Sequence, residues 1–390
     1  MFFLGIDIAK HNHVASLIDD NGNSIFKAYS FSNSSNGADS LIDKLKKYST
    51  DDIIIGMEAT GHYWLALYSY LLEKDFNIIV INPIQTDAWR HATDIRKRKT
   101  DSSDSVLIAD FIRFGNFKTS SIADEKYLNL RNMTRFRHSL IEQIGDLKRK
   151  IIANLDLVFP EYSSYFSDIF GQTSKEILLN FNTAEDFKNL KTRDFEKVLR
   201  NITLKKSATI KLNSLKQMSQ SSFGVKFALS SYSIQIKCLI EQIKVIEDQT
   251  KLIENEIESI VKDLNTPIFT IPGIGYVTGA VILAELGDIN KFSSDKKIVA
   301  YAGLDATVNQ SGQSDGQHGH LSKRGSTHLR KALFQAAFVA STNDTIFKDF
   351  YDKKRKEGKH HLVAVNAVAR KMCHVIYAVL KKNEPYVEQK

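Results

Sequence analysis

FFLGIDIA, residues 2–9, is a short apolar run broken by one carboxylate, Asp7. A lone charge in such a run is costly unless it is paired or binds a metal. Residues 13–18 (HVASLI) continue as a second run, a turn follows around Asn21-Gly22, and 24–31 alternates loosely. Asn-Gly between two β-like runs signals a hairpin, so the start reads as three consecutive strands. Further on, Leu41, Ile42, Leu45 and Tyr48 have helical spacing over 38–48. Residues 52–57 (DIIIGM) read as a fully buried strand ending at Glu58, 62–73 as a helix, and 77–82 (NIIVIN) as a fifth strand.

The order βββαβαβ predicts an α/β domain with an RNase H/RuvC-like layout. Its carboxylates fall where that layout gathers an active site: Asp7 in the first strand, Glu58 after the fourth, and Asp101 and Asp104 on one face of a helix at i, i+3. Singly, each passes as a cap or a salt-bridge partner. Together they suit a hard cation such as Mg²⁺ (or Mn²⁺), which takes carboxylate oxygens plus phosphate and water. Immediately upstream stand Arg90, His91 and the run Arg96-Lys97-Arg98-Lys99. Such a run is either a solvated face or a set of phosphate contacts that offsets the carboxylates' repulsion of a polyanion.

Composition sets the frame. The chain has 390 residues, with 53 Lys+Arg against 45 Asp+Glu and a net charge of +8. Its length predicts two or three domains, and a modest basic excess is compatible with nucleic-acid binding. Two cysteines, Cys238 and Cys373, exclude a disulfide scaffold and a cysteine-built zinc site and suit a reducing, cytoplasmic compartment. Neither a membrane span nor a signal peptide is expected, since no apolar run reaches about 18 residues and the start meets Asp7 at once.

From about residue 124 the pattern turns helical. Arg131, Arg135, Arg137 and Lys148-Arg149-Lys150 stud a helix that either faces solvent or lies along nucleic acid. Residues 160–231 read as a helical accessory region without chemistry. Over 234–261 isoleucines and leucines recur amid Lys and Glu, a long amphipathic helix that forms a coiled-coil dimer arm or packs within its own chain. We place boundaries at 1–150, 151–262, 263–345 and 346–390, the C-terminal part being mostly helical.

Residues 270–287 read TIPGIGYVTGAVILAELG, a helix-hairpin-helix-like element in which Gly273 and Gly275 would let backbone N–H groups approach a phosphate. Gln310–Gly319 reads as a flexible Gly/Ser/Gln loop, with Ser322-Lys323-Arg324-Gly325 following and a helix over 329–340. Ser311 is a candidate nucleophile, with Lys323, Arg324 and Arg330 able to stabilise phosphorane-like charge. Ser314, Ser322, His318 and His320 stay open on chemistry alone.

GIDIAK at 5–10, GMEATGHYW at 56–64, KRKTDSSDSVLIA at 97–109, IPGIG at 271–275 and YAGL…SG…SKRG…LRKAL at 301–333 resemble the DEDD transposases of insertion sequences, of the IS-one-ten type. The resemblance implies a metal-binding tetrad at Asp7, Glu58, Asp101 and Asp104, a serine nucleophile best matched by Ser311 (Ser314 next), and a coiled-coil region joining the two domains. It implies further a composite site, a covalent protein–DNA link, donor and target DNA as substrates, a structured bridge RNA as guide, and a homo-oligomer, dimer or tetramer. Asp305-Ala306 after Gly303-Leu304 departs from the family, which usually has Pro there. Two other readings compete: a Mg²⁺-dependent nuclease or junction resolvase without a covalent intermediate, and a nucleic-acid-binding scaffold without cleavage.

Overall fold

A computed structural model describes residues 1–93, 101–115, 125–188, 190–200, 205–306, 310–311, 314–315 and 320–388. The chain divides into two compact units, Met1–Ile122 and Ala123–Lys390.

The first unit is built on a five-stranded sheet: β1 (Phe2–Asp7), β2 (Asn12–Asp19), β3 (Ser24–Ser32), β4 (Ile53–Glu58) and β5 (Asn77–Ile81), in the order β3-β2-β1-β4-β5. β1–β3 form an antiparallel meander, whereas β4 and β5 run parallel to β1. The Asn-Gly turn forms as the sequence predicts. The Asp19 carboxylate accepts from the Asn21 and Asn23 amides at 3.0 and 2.8 Å, and Gly22 takes a φ of 82° that other residues resist.

Four helices complete this unit: α1 (Ser35–Leu45), α2 (Trp64–Leu72), α3 (Pro83–Thr93) and α4 (Asp101–Arg113). Ser34 caps α1 by accepting from the Gly37 amide. The period of two sorts each strand between two faces. Leu4, Ile6, Ile55 and Met57 pack in one cluster with Leu41 and Leu45 of α1 and Leu67 and Leu71 of α2. Phe3, Ile54, Ile79 and Ile81 join Ile108, Phe111 and Ile112 of α4 in another. A Cβ on Gly5 would lie 2.0 Å from the Ser105 carbonyl oxygen, so only glycine lets α4 sit this close to β1.

The second unit begins with α5 (Glu125–Val158), so the division falls near residue 122 and not at 150. The basic helix belongs here because α5 packs along α11 (Leu229–Asp263) and α12 (Tyr276–Leu286). Between the two long helices, α6 (Tyr162–Tyr165), α7 (Gln172–Asn180), α8 (Ala184–Lys188), α9 (Thr192–Leu199) and α10 (Lys205–Gln220) share a core centred on Phe159, Tyr162, Phe187 and Phe195 with Ile236, Ile240 and Ile243 of α11. The long amphipathic helix thus packs within its own chain.

A second core joins Ile257 and Val261 of α11 with α12, α13 (Asp295–Tyr301), α14 (Thr327–Asn343), α15 (Thr345–Lys356) and α16 (His361–Lys382). Residues 346–382 therefore share one core with 263–345. Length and composition would let α16 cross a membrane, but Val365, Val368, Ala369, Met372 and Ile376 are fully buried within this core, as in a soluble protein's central helix. Two short strands, β6 (Gln310–Ser311) and β7 (Ser314–Asp315), pair antiparallel where the sequence reads as an unstructured loop.

Candidate active site

Asp7 ends β1 and Glu58 ends β4, on neighbouring parallel strands whose register pairs Ile6 with Met57 one residue earlier. Both carboxylates therefore reach the same sheet edge. Alternation puts Asp7 on the face of Gly5 and Glu58 on the face of Gly56, which is the face α4 covers. Asp104 precedes Ser105, whose carbonyl rests on Gly5 and whose hydroxyl lies 2.8 Å from that of Ser16. Asp101 opens α4 one turn earlier, and its side chain lies outside the described residues.

Each described carboxylate has a defined setting. Thr60 donates to Glu58 Oε1 at 2.9 Å, and the Thr86 hydroxyl of α3 lies 2.8 Å from Oε2. Asp104, 8% exposed, meets Arg90 Nη2 at 3.1 Å. Arg90 also lies 3.7 Å from Asp87, and its Nε is buried without a hydrogen-bond partner among the described residues. The donor chemistry, oxygen only, fits a hard divalent cation. Among the described residues, no three such side chains are already gathered closely enough to hold an ion. Arg90 is the counter-cation of Asp104 in this structure. Arg96, Lys97, Arg98 and Lys99 lie outside the described residues.

In the second unit the serine loop springs from a locked base. The Lys323 amide donates to the Gly303 carbonyl at 3.2 Å, Ser322 N to Asp305 O at 2.9 Å, and the Ser322 hydroxyl to the Asp305 carboxylate. Ala306 bridges Leu321. A Cβ on Gly325 would lie 1.9 Å from the Tyr301 carbonyl oxygen, so the YAGL and SKRG motifs interlock backbone to backbone. On this base Ser311 pairs with Ser314 across β6 and β7. The two candidate nucleophiles are cross-strand neighbours, and their side chains lie outside the described residues, as do Gly312 and His318.

A family model described as a DEDD transposase of the IS110 type matches residues 4–160, and one described as the transposase IS116/IS110/IS902 family matches 265–352. The pilin gene-inverting protein of Moraxella bovis is 25% identical over 387 residues, covering 98% of this chain and 97% of that protein. The insertion element IS110 uncharacterized 43.6 kDa protein of Streptomyces coelicolor is 35% identical over 123 residues, 31% of this chain and 30% of that protein. The transposase for insertion sequence element IS1111A of Coxiella burnetii is 32% identical over 120 residues, 30% of this chain and 33% of that protein.

The chain belongs to the IS110-type DEDD transposases. It is an enzyme that cleaves and rejoins DNA.

Not every basic or glycine residue of the transposase that the sequence marks for nucleic acid has a free face. Arg330 donates to the Ala302 carbonyl at 3.0 Å, tying α14 to the end of α13. A Cβ on Gly273 would lie 2.3 Å from the Ala336 carbonyl oxygen, so this glycine admits α14. Gly275, the N-cap of α12, meets nothing there, and Lys323 and Arg324 are exposed. Arg131 donates to the Ala284 carbonyl at 2.9 Å, Arg135 grips Glu285 through two bonds of 2.8 and 3.1 Å, and Arg137 meets Glu254. These three arginines are tied into the protein and do not merely stud a surface.

Sequence reasoning missed the Glu58 threonines and Glu285. Thr60, two residues past Glu58, could have been found from the spacing typical of local hydroxyl turns. Thr86 carries no local signal. Glu285 announces itself as the one charge in YVTGAVILAEL, since a buried carboxylate requires a partner.

Proposed function

We propose that this transposase cuts DNA with a serine nucleophile, Ser311 with Ser314 next, and that its first unit is an RNase H/RuvC-like domain whose Asp7, Glu58, Asp101 and Asp104 hold Mg²⁺ or Mn²⁺. The observation that carries the reading is the convergence of Asp7 and Glu58 at the ends of adjacent parallel strands, beneath the helix that carries Asp101 and Asp104. A divalent cation bound there supplies charge neutralisation at the scissile phosphate. Thr60 and Thr86 hold Glu58 in place. Arg90, released from Asp104, has guanidinium N–H groups to offer a phosphate oxygen.

In the cutting step the serine hydroxyl oxygen forms a bond to phosphorus. The bond from phosphorus to one deoxyribose oxygen breaks, and that oxygen leaves with a proton. Rejoining reverses this with an incoming strand's hydroxyl, so the phosphodiester energy is conserved and no nucleotide cofactor is consumed. Lys323 and Arg324, exposed at the loop base, are the proposed DNA-holding cations. We propose a structured bridge RNA as guide, and donor and target DNA as paired substrates, on the ground of the family resemblance. A homo-oligomer is proposed on the same ground, and the outer face of α11 exposes Ile234, Val245 and Leu252.

A nuclease or resolvase that hydrolyses DNA is the second reading. The full-length Moraxella relatives favour rejoining, since they are named for inverting a gene. Purified protein, Mg²⁺, cognate RNA and labelled element-end DNA run on a denaturing gel separate the two. A protein-linked band lost in Ser311→Ala and in Asp7→Ala is the expected outcome. Cleavage without such a band, unchanged in Ser311→Ala, makes the chain a metal nuclease.

A further inference from the structure

Away from the carboxylates and the serine loop, α5, α12 and α14 line a partly open cavity of about 90 Å³. That is well below the roughly 300 Å³ where small-molecule pockets begin, yet several times the ~10–15 Å³ that admits one water. Its charged wall is of one sign. Arg135, Arg137, His138, His328 and Lys331 line it, and among the described residues no carboxylate does. The acids that neutralise the arginines are absent from the lining: Glu285 is buried, and Glu254 belongs to α11. Each guanidinium carries five N–H donors, so neither arginine is exhausted by its carboxylate.

The basic groups are packed against one another. Lys331 Nζ lies 3.4 Å from His138 Nδ1, and the His138 and His328 rings meet edge to face with centroids 5.0 Å apart. Glu142 Oε1, 3.3 Å from His138 Nε2 on the exposed side, is the acid that faces this histidine. Burial and the Lys331 charge hold His138 below the ordinary histidine range although Glu142 pulls the other way, as expected where burial and neighbouring cations outweigh one exposed acid. Two helix starts also border the cavity. Val277 and Thr278 lie in the first turn of α12, and His328 in the first turn of α14, so both macrodipoles favour negative charge there.

We propose that this cavity is a seat for one tetrahedral phosphate, supplied by the backbone of bound nucleic acid, with Lys331, His328 and His138 as its principal donors. Its size excludes a nucleobase with its sugar, so the site reads no sequence and fixes only where the backbone passes. The assignment of the phosphate to nucleic acid rests on the transposase reading above; the oxyanion seat itself does not.

Two measurements on the full chain test it. In the first, imidazole resonances of His138 and His328 are followed by NMR as inorganic phosphate replaces chloride at constant ionic strength. A saturable shift is expected in the wild type and its loss in Lys331→Met, which keeps the apolar stem, with recovery in Lys331→Arg. In the second, binding of a duplex DNA of arbitrary sequence is measured against salt. Removing one phosphate contact in Lys331→Met lowers the log–log slope by about 0.9. No shift in the wild type overturns the proposal. A shift with an unchanged salt slope overturns the nucleic-acid assignment and leaves a free-phosphate site. Absence of the serine adduct refutes the cutting mechanism and leaves both of these readouts intact.

Discussion

Glu58 is a strand-end carboxylate whose two oxygens are each met by a threonine hydroxyl, from Thr60 and Thr86. A side chain fixed on both oxygens has little rotamer freedom left to lose when it binds an ion. Groups that orient a metal ligand are worth about 10–100-fold in activity or metal affinity. Thr86→Val is expected to lower strand cleavage by about that factor with a higher metal requirement, and Thr86→Ser to recover most of it; equal rates in all three proteins sink the role. Asp7→Ala or Glu58→Ala is expected to cost at least ~10²–10³ in cleavage rate while circular dichroism stays that of the wild type. Arg90 works in the opposite direction. It neutralises Asp104 at 3.1 Å, so an arriving cation must displace it. Arg90→Ala is expected to saturate at lower metal concentration, read by titrating Mn²⁺ into a cleavage assay.

The decisive element is α4, because two of the four carboxylates ride on it. Its seat on the sheet depends on Gly5, where a Cβ would stand 2.0 Å from the Ser105 carbonyl oxygen and 2.4 Å from the Ala109 amide nitrogen. Backbone cannot move aside as a flexible side chain does, so Gly5→Ala must lift α4. Overpacking of this kind costs about 1–3 kcal/mol, and here it also displaces Asp101 and Asp104. Thermal unfolding should report the first effect and a cleavage assay the second. A Gly5→Ala protein with wild-type activity would show that α4 need not sit where it does. The YAGL–SKRG interlock has the same logic, with Gly325 against the Tyr301 carbonyl.

Across the molecule, the two units carry separate cores, and the second is pinned by a buried charge. Glu285, 1% exposed, lies at the end of α12 and is held by Arg135 from α5 and Ser326 from the start of α14. Burial by itself raises a carboxyl's pKa, but the Arg135 hydrogen bond and charge, with Ser326 and Arg131, bring Glu285 below the usual carboxylate range. A depressed folded-state value gives stability that is complete above the unfolded-state value and is lost as pH falls through the folded one. Denaturation midpoints should therefore hold down to the ordinary carboxylate range and drop as pH falls below it, and less so in Glu285→Gln. Arg135→Ala strands the carboxylate and is expected to cost about 2–4 kcal/mol at neutral pH, the range for a buried pair reduced because Arg135 is half exposed. An unchanged urea midpoint would contradict this.

The succession of strands and helices along the first unit and the Asn-Gly hairpin were legible in the sequence, because alternation and turn chemistry act over a few residues, whereas the edge shared by Asp7 and Glu58 was expected only through the RNase H-like layout. The length of α11 was legible for the same reason, but its partner was not. Whether an apolar stripe meets its own chain or another depends on what the rest of the chain brings alongside, and here that is α5 and the small helices between them. The arginines of α5 illustrate the same limit. Their spacing showed a basic helix, and only packing revealed Ala284, Glu285 and Glu254 as their partners, 117 to 153 residues away in sequence. Charge is written residue by residue, whereas the low-dielectric surroundings that turn a charge into a tether, a ligand or a phosphate seat exist only once distant segments have packed.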